Sequence, residues 1–401
     1  MDKKYLVLNL EPEYRADLEN LPWDIPLNKW DDSHVNFLDI RKGISKHIVR
    51  FIKTKDYSFA VKQTNPISAY FESETFTKLL QKGIHTLIPA GYVFYKKNLF
   101  EMNSEESEDL AFIVTILETK SIPHSILFKW DFSEESRKSI YKAAAELLAN
   151  LHFKNVYWGD ASLSNILIKF IKVQDEKGKL HTELKAFLSD SETIQILKKI
   201  GNEHIKKDLK RFFNSMETID EEFPKAKSDK TVGSLDTDKS FFEKEYKTNY
   251  TLLVKIQEFE DSTGLKVHKH FFRITDQYSI ESILKQIEEH KWYLSEKNGS
   301  EVETTLAAND WIEKIYKPII KEFNKLKIFD YFPNTNSVKL YTDIMAHKYY
   351  LSLEKGEDVG IYSAIRSYST KHSDKEESLL SKFVEKLLKR LTKIVPPNYN
   401  L

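Results

Sequence analysis

Two acidic residues and one amide define the chemistry open to this chain. Asp160 and Asn165 form an Asp-x-x-x-x-Asn spacing, and Asn165 runs straight into the apolar stretch Ile166-Leu167-Ile168. A second acidic point, Asp190, ends another apolar run, Ala186-Phe187-Leu188-Ser189. A positioned carboxylate can orient or accept the proton of an attacking hydroxyl. An amide oxygen and a second carboxylate are the hard oxygen ligands that Mg²⁺ takes. Phosphoryl transfer from ATP needs this set, because the protein contributes mostly positioning and charge neutralisation. Asp160 is therefore the candidate base, Asn165 and Asp190 are the candidate metal ligands, and ATP and Mg²⁺ are the expected cofactors. Taken singly, Asp160 has an ordinary reading as a turn or capping residue, and Asn165 as an Asx turn. The three in this order are harder to dismiss.

Lys62 ends the apolar strand Phe59-Ala60-Val61-Lys62, in the style of the kinase Val-Ala-x-Lys. A lysine there can reach the phosphates of ATP if a helix carboxylate holds it. Glu72 is the preferred partner, since Phe76 at i+4 would share its side of a helix and pack into the core. Glu74 is the competitor, but its i+4 neighbour is Lys78, which suits a solvated face. Gly43 lies where a phosphate-covering hairpin would turn, and Ser45 with nearby backbone N–H groups could approach phosphate oxygens. An ordinary hairpin turn explains Gly43 equally well. His152, eight residues before Asp160, reads as a brace for the loop. Ser162 stands where protein kinases often carry a phosphate-contacting lysine, and Asp190-Ser191-Glu192 lacks the glycine of Asp-Phe-Gly. Glu192 is a further metal or outer-sphere carboxylate, or a surface acid.

These residues need elements to hold them. Residues 36–40, 47–52 and 57–62 read as strands, with a turn at 54–56, from their β-branched and aromatic content. Residues 67–82 have helical spacing at Tyr70, Phe76, Leu79 and Leu80. Another strand pair is expected at 90–95 and 110–117, joined by an exposed acidic loop over 103–109. A helix is expected over 134–152, capped by Ser133, with an apolar stripe at Ala143, Leu147, Leu148 and Leu151. Strands at 166–173 and 183–189 follow the Asp160 loop. This order is the outline of a two-lobed kinase. The fold class read from it is α+β, a protein-kinase-like domain followed by a mainly α-helical C-terminal domain. Residues 1–120 form the β-rich N-lobe with an N-terminal extension, and 121–221 the core of the C-lobe. A linker or loop spans 222–241, and 242–401 is the helical domain.

Composition narrows the remaining classes. The 401 residues exceed one ordinary domain, and 41% are hydrophobic, enough for a large core. Lys and Arg number 61, as do Asp and Glu, so a dedicated nucleic-acid binder is not expected. The chain has no cysteine, which removes disulfides, thiolate zinc sites and cysteine nucleophiles and suits a reducing cytoplasm. The N-terminal apolar stretch is too short for a secretory signal, and no run approaches the ~18 apolar residues of a transmembrane helix.

The C-terminal part carries an internal echo. His290-Lys291-Trp292-Tyr293-Leu294-Ser295 continues to Gly299 and Val302, and His347-Lys348-Tyr349-Tyr350-Leu351-Ser352 continues to Gly356 and Val359. Two copies suggest a duplicated helix–turn unit. Either the unit is a repeated packing element, or its histidines and aromatics line a substrate surface.

The stretch Trp158-Gly159-Asp160-Ala161-Ser162-Leu163-Ser164-Asn165 resembles the Trp-Gly-Asp-Cys-Ser-Leu-Ser-Asn motif of a bacterial family. That family joins a lipopolysaccharide-kinase-like domain of the Kdo/WaaP or InaA type to a C-terminal domain of unknown function. The likeness extends to Leu21–Leu27, Gly43–Phe51, Val114–Leu117 with Ser121–His124, and Leu127-Phe128. Asp190-Ser191-Glu192-Thr193 is similar to the family's Asp-Ala-Glu-Thr. Trp311–Pro318 and His347–Val359 also fit, while 200–285 fits poorly. Ala161 replaces the motif's cysteine, which touches neither Mg²⁺ nor proton chemistry. The resemblance implies kinase roles for Lys62, Glu72, Asp160, Asn165 and Asp190.

Three readings follow. The first is an ATP- and Mg²⁺-dependent phosphotransferase acting on a hydroxyl of a saccharide, a small molecule or a protein. The second is a pseudokinase-type module that binds nucleotide or engages a protein partner through the C-terminal domain. The third is nucleotidyl transfer from the same fold.

Overall fold

The computed structural model describes residues 5–40, 47–96, 110–118, 120–123, 134–174, 180–222, 235–325, 329, 332 and 335–372. Gly43, Ser45, the acidic 103–109 stretch and Ser133 lie outside the described residues. The chain divides into two compact units, residues 1–172 with 182–250, and residues 173–181 with 251–401.

The first unit opens with a six-stranded antiparallel sheet. Its strands are β1 (Tyr5–Leu10), β2 (Asn36–Phe37), β3 (Val49–Lys53), β4 (Ser58–Thr64), β5 (Pro89–Lys96) and β6 (Leu110–Ile116). Their spatial order is β1-β5-β6-β4-β3-β2. Alternation along β4 decides where Lys62 goes. Phe59 and Val61 are buried on one face with Trp23, Trp30, Phe112 and Val114, so Lys62 belongs to the other. Trp23 meets Trp30 and Phe112, each at 5.2 Å between ring centroids, and its indole N–H donates to the carbonyl of Leu18. Residues before β2 thus cover one face of the sheet, and β1 adds an edge strand that the periodicity of the chain does not announce.

After the short helix α1 (Arg15–Leu18) ahead of β2, helix α2 (Pro66–Gln81) follows β4. Asn65 caps it by accepting the Ser68 N–H at 2.8 Å, and Pro66 sits in the first turn, where its missing N–H costs nothing. Its buried residues are Ala69, Glu72, Ser73, Phe76 and Leu79, one helical stripe with an acid in it.

The second lobe is built on α3 (Glu134–Phe153), whose alanines and leucines pack against Val156, Trp158, Leu163, Ile166 and Leu188. A short pair, β8 (Val156–Tyr157) with β11 (Gln195–Ile196), flanks the Asp160 loop. Strands β7 (Ser121–Pro123), β9 (Ile166–Gln174) and β10 (Leu180–Leu188) form a three-stranded sheet. Helix α4 (Asn202–Glu222) and the start of α5 (Leu235–Thr263) close the core, with Phe212 and Phe242 stacked at 4.4 Å. The lobes meet where Thr86 bridges Leu188: the Thr86 hydroxyl donates to the Leu188 carbonyl at 2.9 Å, and the Leu188 N–H donates to His85 at 3.0 Å.

The linker or loop expected over 222–241 overlaps α5. Residues 235–241 are the first turns of α5, and the two units divide further along the same helix, after Tyr250. The charged, glycine-containing composition conceals an anchoring pair: Asp238 is buried against Arg137 of α3 at 3.1 Å, and Phe242 is buried four residues later.

Apart from the ends of β9 and β10 at 173–174 and 180–181, the regular elements of the second unit are helices among its described residues. Helix α6 (Val267–His270) precedes α7 (Gln277–Asn298). Helix α8 (Thr304–Trp311) passes through a π-helical turn, Ile312–Tyr316, into α9 (Lys317–Lys325), and α10 (Ser337–Lys355) and α11 (Gly360–His372) follow. The sequence echo is a structural repeat. Gly299 and Gly356 end α7 and α10 in the left-handed conformation, at φ +65° and +70°. His290 pairs with Asp310, and His347 with Ser367, each at 2.9 Å. Lys291 bonds Glu301 at 3.0 Å, and Lys348 bonds Asp358 at 3.1 Å. Ser295 and Ser352 accept the N–H groups of Val302 and Val359. The histidine, lysine and serine of each copy therefore lock a helix to its successor. Trp292, Tyr349 and Tyr350 instead face outward, 64%, 57% and 67% exposed. Among the described residues no helix is long and apolar enough to cross a membrane.

Candidate functional site

Lys62 and Glu72 meet because α2 presents Glu72, from an otherwise buried stripe, to the face of β4 that carries Lys62. The Lys62 amine donates to both Glu72 oxygens, at 3.0 and 3.2 Å. Glu74 lies elsewhere and pairs with Lys78 at 3.8 Å. The same Lys62 amine lies 3.6 Å from Asp190 Oδ2 and 4.0 Å from Glu192 Oε2. One ammonium thus faces three carboxylates.

The electrostatics follow from this crowding. Burial pushes the Glu72 carboxyl up to about 7; Asp190 and Glu192 push the same way, and the Lys62 ammonium pulls down. Burial also works against the charge on Lys62, but Glu72, Asp190 and Glu192 together outweigh it and hold the amine above its ordinary value.

Asp190 is set by the backbone around it. The N–H of Ser189 donates to the Asn165 carbonyl at 3.0 Å, tying the end of β10 to the Asp160–Asn165 loop. Ser191, buried, donates from its hydroxyl to the Glu72 carbonyl at 3.2 Å. Asp190 Oδ1 accepts the Glu192 N–H at 3.0 Å, an Asx turn that brings Glu192 back toward Lys62. His47, at the entrance to β3, meets Glu192 at 3.3 Å.

The loop itself is a short turn, Leu163–Asn165, between Trp158 and β9. The Asn165 amide donates to the carbonyl and to Oδ2 of Asp160, both at 3.1 Å. Asp160 is exposed, whereas Trp158 and Leu163 on either side are buried. Gly159 has φ +82°, and a Cβ there would come within 2.8 Å of the Thr193 carbonyl. The Thr193 hydroxyl donates to the Trp158 carbonyl at 2.8 Å, so glycine is required where the Asp190 segment passes the loop.

The structure therefore brings Lys62, Glu72 and Asp190 into one cluster and Asp160 and Asn165 into a second. The Ser189–Asn165 bond joins the two. Gly43 and Ser45 are outside the described residues. Ser162 only precedes the short turn, without a side-chain capping bond.

Asp208 is the residue that sequence reasoning missed. It is fully buried on α4, and its oxygens accept the N–H groups of Trp158 and Gly159, each at 2.8 Å, and face His152 Nε2 at 3.1 Å. His152 in turn meets the Tyr246 hydroxyl of α5 at 2.8 Å. A signal existed: Asp208 sits between Ile205 and Phe212 on the apolar stripe of α4, where a lone acid must find buried donors.

The donors suit the expected cofactors. Asp190 and Asn165 carry side-chain oxygens of the kind that Mg²⁺ takes, and the surplus of carboxylates beside one amine favours a cation. Among the described residues no group of three or more His, Cys, Asp or Glu side chains makes a metal cage. Mg²⁺ bound with nucleotide characteristically uses one or two protein oxygens and completes its shell with phosphates and water.

Comparison with known proteins gives a family model that matches part of the C-terminal half and distant likenesses to solved structures. The family described as a domain of unknown function, DUF4032, matches residues 302–372, which run from the start of α8 to the end of α11. Curated proteins include no match. Among solved structures, WaaP in complex with acyl carrier protein is 17% identical; the match covers 64% of this chain and 93% of that one, with a TM-score of 0.38. The Rio2 kinase-ADP/Mg²⁺-phosphoaspartate complex from Chaetomium thermophilum is 14% identical, covering 56% of this chain and 66% of that one, with a TM-score of 0.32. A kinase domain, PF14_0431, is 14% identical, covering 64% and 72%, with a TM-score of 0.30.

Proposed function

We propose that this chain is an ATP- and Mg²⁺-dependent phosphotransferase that acts on a hydroxyl acceptor. The observation that carries the reading is the Lys62 amine, held at 3.0 Å by buried Glu72 and facing Asp190 at 3.6 Å. A buried ion pair of this kind is a poor investment for stability alone. It fits an amine kept charged and aimed at phosphate oxygens. In this reading Lys62 clamps the phosphates, Glu72 orients it, and Asn165 and Asp190 offer oxygens to Mg²⁺. Asp160, exposed at the loop, orients the acceptor hydroxyl and takes its proton. Bound Mg-ATP supplies the transferable phosphoryl group and the charge that neutralises it. Gly43 and Ser45 are assigned to the phosphate-covering turn on the sequence pattern. The lack of cysteine favours a reducing, cytoplasmic setting for the reaction.

The test is Asp160→Asn against wild type. A positioned general base contributes about 10²–10⁴-fold, so turnover should fall by about that factor with Mg-ATP binding retained. Asp190→Ala should abolish Mg-ATP use. Equal turnover by wild type and Asp160→Asn would remove Asp160 from the mechanism. The mass added to the acceptor separates phosphoryl from nucleotidyl transfer.

A nucleotide-binding module without turnover is the second reading. Ser162 in place of a phosphate-contacting lysine and the Asn165 amide engaged on Asp160 Oδ2 both favour it. Thermal stabilisation by Mg-ATP without γ-phosphate release, across a panel of saccharide, small-molecule and protein acceptors, would support this alternative.

A further inference from the structure

We infer that Tyr246 is a positioning residue for the loop that carries Asp160, acting through His152 and Asp208. The inference rests on the phosphotransferase reading only for its effect on turnover; the hold on the loop is a separate, measurable property.

The argument is a proton inventory. Asp208 receives the N–H groups of Trp158 and Gly159 at 2.8 Å, one on each oxygen, and His152 Nε2 lies 3.1 Å from Oδ2. A carboxylate can only accept, so Nε2 carries a hydrogen and donates it. In the neutral imidazole Nδ1 is then the acceptor, and the Tyr246 hydroxyl is its donor at 2.8 Å. His152 and Asp208 are fully buried and Tyr246 nearly so, which leaves little room for water to replace a lost partner. Burial, helped by Tyr250 and Asp208, drives the Tyr246 phenol well above its ordinary range, so it keeps its proton and remains a donor. The rings hold the geometry: Tyr246 meets His152 edge-on at 5.5 Å and stacks on Tyr250 at 6.1 Å.

Tyr246 therefore supplies the partner of Nδ1 and fixes the tilt of His152, whose tautomer Asp208 sets. His152 completes the three donors of Asp208, and Asp208 fixes the two backbone N–H groups immediately before Asp160. Tyr246 belongs to α5, and Leu252 and Phe259 of the same helix pack in the core of the second unit. The loop is thus referenced to α5 as well as to α4, beyond the Lys62–Asp190 cluster itself.

The experiment is Tyr246→Phe in the full-length chain, which removes one oxygen and keeps the ring. Tyr250→Phe is the control. Amide hydrogen exchange at Trp158 and Gly159 reads the hold on the loop directly. Loss of one buried hydrogen bond corresponds to about tenfold faster exchange. That rise is expected at these two amides in Tyr246→Phe, with α3 amides and the Tyr250→Phe protein at wild-type rates. Turnover should fall about tenfold or more in kcat, with KM for Mg-ATP unchanged. Wild-type exchange at both amides overturns the inference. So does an equal rise throughout α3 and α4, which is loss of stability and nothing more. A wild-type chain with no turnover on any acceptor sinks the phosphotransferase reading alone, and the exchange result still decides the role of Tyr246.

Discussion

Lys62 on β4 and Glu72 on α2 are joined by two hydrogen bonds, at 3.0 and 3.2 Å, in a position where the carboxylate is almost wholly withdrawn from water. This pair gives the protein a characteristic pH dependence. Glu72 has an ordinary value of 4.5, and burial raises it to about 7 in the folded chain. Between those values the folded state binds the proton and the unfolded state does not. Stability from this group is therefore complete below about pH 4.5 and is lost as pH rises to about 7. Wild type should lose stability relative to Glu72→Gln across that window and show a constant difference above it. Urea midpoints at about pH 5 and pH 7.5 check this. A wild-type-minus-variant gap that does not change between them contradicts the raised carboxyl.

Gly159 is predicted to tolerate no side chain. With φ +82° and the Thr193 carbonyl 2.8 Å from the Cβ position, Gly159→Ala combines backbone strain with a clash against backbone. Strain of this kind costs about 1–3 kcal/mol. Thermal unfolding should show the loss, and turnover should fall further than stability explains, because the displaced residue adjoins Asp160. An alanine variant of wild-type stability and rate would mean that the loop can relax freely.

Asp208→Ala should be the most destabilising of these changes. It strands the N–H groups of Trp158 and Gly159 and the Nε2–H of His152 in a dry core. Removing one partner from a buried, charged network costs about 3–5 kcal/mol. Denaturant unfolding measures it; a loss below about 1 kcal/mol would show that the three donors find other acceptors.

The helical repeat predicts additivity. Ser295 and Ser352 each accept a backbone N–H seven residues ahead, Val302 and Val359, in separate hairpins with no shared partner. Each serine-to-alanine change should cost about 1 kcal/mol. The double variant should lose the sum to within about 0.5 kcal/mol. A clear excess over the sum, measured by chemical denaturation, would mean that the two turns are coupled.

Much of this protein is readable along the chain. The order Lys62, Glu72, Asp160, Asn165, Asp190 stands out because each residue interrupts or ends an apolar run, and such polar residues need a reason. Period-2 and helical spacing locate β4, α2, α3 and β9 within a few residues, since backbone periodicity and burial together determine them. The internal echo likewise predicts matched helix–turn units, because the glycine that ends each helix and the serine that receives the next turn act within a dozen residues.

Only the tertiary structure decided the rest. It placed three carboxylates around a single amine, chose Glu72 over Glu74, and brought Asp208 to the Trp158 and Gly159 N–H groups, 50 and 49 residues earlier, and Tyr246 to His152, 94 residues earlier. It also made the first turns of an apparent linker into α5, through the buried Asp238–Arg137 pair. The physical reason is common to all of these. Local propensity and periodicity decide which backbone a segment adopts and which face it buries. The partner of a buried polar group is decided by whichever distant segment supplies a donor or acceptor at under about 3.5 Å, and such meetings exist only once the chain has closed.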